Sequence, residues 1–193
     1  MKKNLGQVNA LYPSLTTIVG AHVDGRPNFL AVAHVGIMNH GVPQYISIGL
    51  GKVHHTNQGI HANRQFSVNI PSVDLVAETD YVGLVSGKNT DKSRVFDLFY
   101  GELEASPMIS ACPVTMECAL HDVINFPTHD VFIGRIVATH ADESVLKNGK
   151  IDIAAVRPLL FDLAGLGYFQ LGDRLASAWK VGKQLKVKSG GES

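Results

Sequence analysis

The sequence predicts an antiparallel β-barrel with a few short helices. Short stretches in which apolar and polar residues alternate are frequent, whereas stretches with helical spacing are few. Turn signals such as Asp24-Gly25 separate these stretches at close intervals. With 193 residues and a hydrophobic content of 45%, the chain can build a substantial core, so we expect one domain over residues 1–193.

The first half of the chain contains most of the predicted elements. Alternating or continuously apolar stretches predict four strands, at 16–23, 29–35, 45–50 and 65–70. The segment 29–35 is nearly all apolar, so we expect it to be buried on both faces. Helical spacing and start signals predict two short helices, at 55–63 and, behind the N-cap candidate Ser72, at 73–85.

The second half predicts a long hairpin and a looser C-terminal part. Two strands, 114–125 and 129–140, flank the tip Phe126-Pro127-Thr128. A final strand is predicted at 159–163. A weak helical face follows over 171–182, and the basic, then Gly/Ser-rich tail 184–193 is expected to be disordered.

Charge and cysteine content exclude several classes of protein. Lys+Arg and Asp+Glu are both 17, and this zero net charge argues against a nucleic-acid binder. We see no signal peptide and no apolar run that would span a membrane. Cys112 and Cys118 lie too close along one extended segment to pair, and Cys118 falls on the apolar face of a strand. We therefore expect a reducing, cytoplasmic setting.

Familiar catalytic and nucleotide-binding motifs are absent from the sequence. Gly49-Leu50-Gly51 lacks the third glycine of a dinucleotide fingerprint, and neither a P-loop nor a nucleophile elbow is present. Among nine histidines, the closest group is His54, His55 and His61, whose spacing matches no zinc pattern. We therefore predict no metal site.

Two polar loops, 52–56 and 86–92, are candidates for binding an anionic ligand. Each has a hydroxyl and a lysine, the second also has small residues, and the first opens a helix whose N–H groups favour phosphate. Ser47 and Gly49 form a small, polar strand face on which a flat ligand could lie. The alternative is that this face and the lysines of the second loop are solvated and that Thr56 is only an N-cap. Spacing alone leaves both interpretations open.

Several segments, in a fixed order, resemble one known family. They are 24–33 (DGRPNFLAVA), 43–57 with Ile60, 66–71 (FSVNIP), 80–83 with 86–87 and 91–92, 116–118 (MEC), and 168–172 (YFQLG). Together they resemble the flavin reductase-like, FMN-binding split-barrel proteins, most closely the flavoredoxin-like branch. The resemblance runs from about Pro13 to Gly182.

The resemblance implies a split β-barrel, a homodimer and FMN bound near the dimer interface. Residues expected to border the flavin ring are Asn28, Phe29, Leu30, Ala31, Val32 and Ala33. Residues expected on the ribityl and phosphate side are Ser47, Gly49, Lys52, His55 and Thr56. Residues expected to close the site are Ser86, Gly87 and Lys92. Lys92 is also the candidate for favouring the anionic reduced flavin.

Two positions depart from what is common in that family. Many relatives have Thr or Ser within 31–33, where this chain has Ala-Val-Ala, so backbone N–H groups are left to contact the ring. Position 52 is often Arg in relatives, and Lys52 supplies a point charge in place of a bidentate fork.

The resemblance implies an oxidoreductase that passes electrons from NADH or NADPH through FMN to a small-molecule acceptor or a redox partner protein. The alternative is a flavoredoxin-type electron carrier with permanently bound FMN and no nicotinamide recognition. A third class is a barrel that binds a flavin or another small ligand structurally or as a sensor. Bleaching of the flavin by NAD(P)H alone distinguishes the first class from the second.

Overall fold

The computed structural model describes residues 1–185, and most of its regular structure is antiparallel β-sheet. The strands are β1 (Ser14–Leu15), β2 (Thr17–Val23), β3 (Arg26–Val32), β4 (Val35–Asn39), β5 (Tyr45–Gly51), β6 (Gln65–Ile70), β7 (Leu98–Phe99), β8 (Met108–Ile109), β9 (Val114–Asn125), β10 (His129–Ala141), β11 (Leu146–Lys147), β12 (Lys150–Ile151), β13 (Leu159–Asp162) and β14 (Gly167–Gln170). The mainly β, antiparallel prediction is confirmed.

Three short helices and four 3-10 turns complete the regular structure of the described residues. The helices are α1 (Thr56–Asn63), α2 (Val76–Leu84) and α3 (Ile153–Val156). The 3-10 turns are Val73–Leu75, Lys92–Val95, Glu143–Val145 and Val181–Leu185. Ser72 caps the first of these turns by accepting a hydrogen bond from the Asp74 N–H, as predicted.

One seven-stranded sheet, in the order β3-β2-β6-β9-β10-β5-β4, forms the body of the molecule. The β2–β3 hairpin turns at Asp24-Gly25, where both residues have positive φ, as a two-residue hairpin turn requires. The predicted long hairpin is β9–β10, and a bulge between Ile133 and Gly134 bends it. This bend helps the sheet to curl.

The curl brings the two ends of the sheet around a common core. The main core cluster contains Leu30 and Val32 from β3 together with Ile48 and Leu50 from β5, although these strands are far apart in sheet order. The sheet therefore wraps into a barrel that remains open between β3 and β5. A backbone hydrogen bond of 2.8 Å from Gly49 N–H to the His34 carbonyl extends the β4–β5 pairing by one residue beside this opening.

Three sequence predictions differ from the structure. The predicted strand 29–35 ends at Val32, and a separate strand, β4, begins at Val35 after an exposed His34. The strand at 159–163 is not the last one, because it pairs with β14. No helix spans 171–182, where residues 171–177 have no regular structure; apolar Leu175 and Trp179 are almost fully exposed and find no core to pack on.

Other predictions concern the cysteines and the tail. Both Cys112 and Cys118 are free and buried, and burial raises the pKa of each thiol to about 12. Residues 186–193 of the predicted disordered tail lie outside the described residues. Among residues 1–185, no helix has the length and apolar character needed to cross a membrane.

Candidate functional site

A cleft follows the outer edge of β3, the first strand of the sheet, and has three adjoining cavities. We name them by one residue each: the Thr56 cavity (250 Å³), the His34 cavity (190 Å³) and the Asp80 cavity (330 Å³). Each of the three cavities is lined in part by residues of the segment 28–33. Because β3 is an edge strand, part of its backbone faces the cleft and not a neighbouring strand.

The Thr56 cavity is where the two predicted loops meet. His55 and Thr56 line it from the first loop, and Ser86, Gly87 and Lys92 line it from the second. Gly87 packs so closely on Asn28 of β3 that an added Cβ would collide with the Asn28 amide. Strand β3 thus brings the two loops together, a question that the sequence alone did not decide.

Asn28 and Thr56 form a buried polar pair in this cavity. Asn28 Nδ2 donates a 2.8 Å hydrogen bond to Thr56 Oγ1, and both residues are buried. Because Thr56 Oγ1 is the acceptor, its own O–H remains available to donate to a ligand. Thr56 follows the helix N-cap position, which His55 occupies without a side-chain cap.

The start of α1 leaves hydrogen-bond donors for a ligand. Asn57 and Gln58 donate their N–H groups to the His54 and His55 carbonyls, whereas the N–H groups of His55 and Thr56 have no backbone acceptor within residues 1–185. His55 Nδ1 is buried and also lacks a hydrogen-bond partner there. Buried polar atoms are rarely left unpaired, and this corner therefore has hydrogen-bonding capacity for a further polar group.

Lys92 is buried beneath the same cavity and is not a solvated surface residue. Its side chain Nζ donates to the Phe29 carbonyl at 2.9 Å and to the Val82 carbonyl at 2.7 Å, which links β3 to α2. Burial lowers the pKa of the Lys92 ammonium from 10.5 to about 8. An ammonium has three N–H donors, so one remains for the cavity that Lys92 lines.

The His34 cavity lies at the opening between β3 and β5. Its floor includes Gly49, and three histidines line it: His34, His54 and His129. Partial burial of its ring lowers the pKa of His34, although the residue as a whole is exposed, and His129 contributes further. Burial likewise lowers the pKa of His54, followed by the positive charges of Lys92 and His129. Both shifts favour the neutral form of these imidazoles, which suits an uncharged part of a ligand.

The Asp80 cavity contains polar residues that the sequence analysis did not assign to the site. Thr16, Asp80 and Tyr168 line it beside the edge residues Ala31 and Ala33. Asp80 and Tyr168 belong to segments that carried the family resemblance, which was a usable signal. Thr16 could not be identified from the sequence, because only the folded structure places it beside the cavity.

Three predicted site residues lie apart from the cavity walls. Ser47 pairs with Gly36 of β4 and Ile133 of β10, and it lines none of the three cavities. Lys52 lies outside the walls as well, with its Nζ 3.5 Å from Asp130 Oδ1. The Phe29 side chain points into the core, so this residue reaches the site through its backbone carbonyl.

The remaining predicted residues are brought together along the cleft. Those that line its cavities are Asn28, Leu30, Ala31, Val32, Ala33, Gly49, His55, Thr56, Ser86, Gly87 and Lys92. Among residues 1–185, no group of three or more His, Cys, Asp or Glu side chains is placed to hold a metal ion.

Comparison with known proteins finds a matching family and solved structures with the same architecture. The model of the flavin reductase like domain matches residues 9–168. The flavoredoxin from Methanosarcina acetivorans is 39% identical, with a TM-score of 0.93 over 96% of this chain and 99% of that chain. The flavoredoxin of Desulfovibrio vulgaris (Miyazaki F) is 34% identical, with a TM-score of 0.86 over 94% and 100% of the two chains.

A more distant structure shares the fold alone. The FMN-binding protein from Thermus thermophilus is 22% identical, with a TM-score of 0.79 over 92% of this chain and 99% of that chain. The open barrel between β3 and β5 is therefore the split β-barrel that the sequence resemblance implied. On the match over residues 9–168 and the similarity to the two flavoredoxins, the chain belongs to the flavin reductase-like split-barrel family, in its flavoredoxin-like branch.

Proposed function

We propose that the chain binds FMN in the cleft along β3 and acts as an oxidoreductase that passes electrons from NADH or NADPH to an acceptor. The observation that carries this proposal is the convergence of the loops 52–56 and 86–92 on the Thr56 cavity. Two segments so far apart in sequence supply one small set of donors beside the edge of a sheet. Such a set suits the phosphate end of a flavin nucleotide.

The residues of the Thr56 cavity fit a phosphate. They offer the Thr56 hydroxyl, the unpaired N–H groups of His55 and Thr56, and the ammonium of Lys92. The described lining contains no Asp or Glu side chain, so nothing there repels an anion. We therefore assign the phosphate to this cavity, with Ser86 and Gly87 closing it.

The edge of β3 fits a flat ring. The Phe29 carbonyl points away from β2, because it accepts from Lys92, and alternation then turns the backbone of Ala31 outward as well. The small side chains of Ala31 and Ala33 let a ring approach this backbone closely. The bound flavin supplies the redox chemistry, while the chain positions the ring and excludes water.

A second candidate function is a flavoredoxin-type electron carrier that keeps FMN bound and does not recognise a nicotinamide. The similarity to two flavoredoxins, at 39% and 34% identity over nearly the whole chain, favours it. Both functions use the same FMN cleft. They differ in whether the electron donor is a small molecule or a protein.

The test is a visible absorption spectrum of the purified protein with one equivalent of FMN, recorded anaerobically before and after addition of NADH or NADPH. A perturbed flavin spectrum that bleaches supports the reductase and identifies the donor. A perturbed spectrum that persists with both donors, but bleaches with a reduced protein donor, supports the carrier. A spectrum identical to that of free FMN contradicts both functions.

We also propose that the chain acts as a homodimer. Strand β4 is the other edge of the seven-stranded sheet, and the exposed fractions of Ile37, Met38 and Val42 on and after it are 74%, 54% and 95%. An apolar cavity of 550 Å³, lined by residues that include Val35, Ile37 and Ile46, lies beside this edge. Exposed apolar surface of this kind favours association, and the zero net charge does not oppose it.

A further inference from the structure

The Asp80 cavity has the features of a binding site of its own. It measures 330 Å³, a size within the range of about 300–1,000 Å³ that is typical of small-molecule pockets. Residues 31–33 and Phe161 line both this cavity and the His34 cavity, so a molecule here would lie beside anything bound along β3. The phosphate donors of the Thr56 cavity are not part of it.

One residue of this cavity's wall carries an unpaired, buried hydroxyl. Thr16 is 3% exposed, and its Oγ1 has no hydrogen-bond partner within residues 1–185. Its neighbour Thr17 is equally buried but donates its hydroxyl to the Val32 carbonyl at 3.0 Å. A buried hydroxyl without a partner costs stability, so Thr16 is best explained by a ligand that completes its hydrogen bond.

A fixed carboxylate lies across the same cavity. The Tyr168 hydroxyl donates a 3.0 Å hydrogen bond to Asp80 Oδ1, which leaves the second carboxylate oxygen for a ligand. Burial raises the pKa of Tyr168 to about 12, with Asp80 as the next cause, so the phenol stays protonated and keeps the carboxylate in place. The carboxylate is therefore oriented before any ligand binds.

Aromatic and aliphatic side chains form the remaining walls. The Phe161 and Tyr168 rings lie 5.4 Å apart at an angle of 47°, and Leu84 and Leu166 complete the lining. No Lys or Arg is among the lining residues. Flat apolar walls select a ring, and a lone carboxylate with two aromatic faces favours a neutral or positively charged ring over an anionic one.

We propose that the Asp80 cavity is a second ligand subsite, which takes a neutral or cationic aromatic substrate that donates an N–H to Asp80 and hydrogen-bonds with Thr16. The proposal rests on the proposed function, because it places the electron donor or acceptor next to the flavin. It adds a charge rule: anionic aromatic molecules are excluded by the Asp80 carboxylate.

The experiment uses FMN-loaded protein and three probes of similar shape: benzamide, which is neutral, 1-methylnicotinamide, which is cationic, and benzoate, which is anionic. Binding is measured by ligand-observed NMR titration. We expect the neutral and cationic probes to bind at least about tenfold more tightly than benzoate, as expected when a charge-assisted hydrogen bond is replaced by repulsion. Equal binding of all three, or binding of none, overturns the proposal.

Variants connect the selectivity to the two polar residues. Asp80→Asn keeps the shape and should lower the preference for the cation over benzoate about tenfold, whereas the surface variant Asp122→Asn should leave it unchanged. Thr16→Val should weaken benzamide binding several-fold, roughly the effect of losing one hydrogen bond. It should not change the preference for the cationic probe over benzoate. If Asp80→Asn does not fold, the Thr16→Val comparison still tests the site, and unchanged benzamide binding contradicts it.

The same titration on flavin-free protein separates this proposal from the flavin proposal. Probe binding that occurs with and without FMN supports a separate subsite. Probe binding that FMN abolishes assigns the Asp80 cavity to the flavin itself and overturns the subsite. Failure of the protein to bind FMN contradicts the proposed function, while selective probe binding to the flavin-free protein would still support the cavity's charge rule.

Discussion

Lys92 shows how a single residue can join two elements at the edge of the cleft. Its ammonium binds the carbonyls of Phe29 and Val82, 63 and 10 residues away in sequence. Within the polar loop 86–92, local composition does not distinguish Lys92 from the exposed Lys88, and only the family resemblance singled it out. Its burial could not be predicted, because it depends on where β3 and α2 place their carbonyls.

The buried Lys92 should affect stability through pH. Its pKa is lowered from 10.5 to about 8, so between these values the unfolded chain binds more protons than the folded chain. The cost of charging Lys92 is therefore complete below pH 8 and is relieved as pH rises above it. We expect the free energy of unfolding of the flavin-free protein, relative to Lys92→Met, to rise by roughly 1 kcal/mol between pH 7 and pH 9.

The measurement is urea denaturation of both proteins at a series of pH values. The two cysteines, whose pKa values are raised to about 12 by burial, lower the stability above pH 9 in both proteins and cancel in the difference. Parallel pH profiles for the two proteins would show that Lys92 is not the titrating group.

Thr56 should contribute to FMN affinity through its hydroxyl. Because Asn28 donates to Thr56 Oγ1, the Thr56 proton is free for a phosphate oxygen. We expect Thr56→Val to weaken FMN binding about tenfold, since a hydrogen bond to a charged group is lost. The FMN affinity of Thr56→Ser should stay within about threefold of the wild-type value. Quenching of flavin fluorescence measures the FMN dissociation constants of both variants.

Riboflavin, which lacks the phosphate, is the control ligand for this prediction. It should bind wild type and Thr56→Val equally well. Equal loss of riboflavin and FMN affinity in Thr56→Val would instead place Thr56 away from the phosphate.

At the scale of elements, local signals predicted six of the seven strands of the large sheet and also β13, and tertiary contacts decided the rest. The β9–β10 hairpin agrees with the predicted strands to within one residue, because a long alternation and a proline tip are local features. Strand β4 was not predicted, because Gly36 and Asn39 are of residue types that are depleted in strands. The helix expected over 171–182 is absent because its weak apolar face has no partner in the described residues.

Helix α1 is positioned by one close approach that should be sensitive to mutation. A Cβ added at Gly59 would collide with the backbone carbonyl of His22 on β2, which cannot move without disturbing the sheet. We expect Gly59→Ala to lower the free energy of unfolding by about 1–3 kcal/mol, although alanine is the better helix former. Urea denaturation provides the measurement.

Gln58→Ala is the matched control for Gly59→Ala, because Gln58 is exposed on the same helix. It should change the stability by no more than about 0.5 kcal/mol. If Gly59→Ala is equally mild, α1 does not pack on β2 as closely as described, and the placement of Thr56 beside Asn28 would need revision.

At the scale of the whole molecule, the site exists because the sheet curls without closing. The opening between β3 and β5 exposes the edge of β3, and α1 and the loop 86–92 cover that edge. Sequence patterns predicted six of the seven strands of this sheet and the two loops. Only the strand order and the curl bring the loops together. These arise from packing of residues distant in sequence, as in the core cluster that contains both Leu30 and Ile48.

The second edge of the same sheet should form the homodimer contact. Ile37 on β4 is 74% exposed beside an apolar cavity, and a lysine there would place a charge in the contact. We expect the wild type to sediment as a dimer and Ile37→Lys to weaken that dimer at least about tenfold, the effect of losing a well-packed apolar contact. Leu146→Lys, an exposed position on β11 outside the seven-stranded sheet, should leave the dimer intact. Analytical ultracentrifugation over a range of protein concentrations measures both, and a monomeric wild type or an undisturbed Ile37→Lys dimer would remove β4 from the proposed interface.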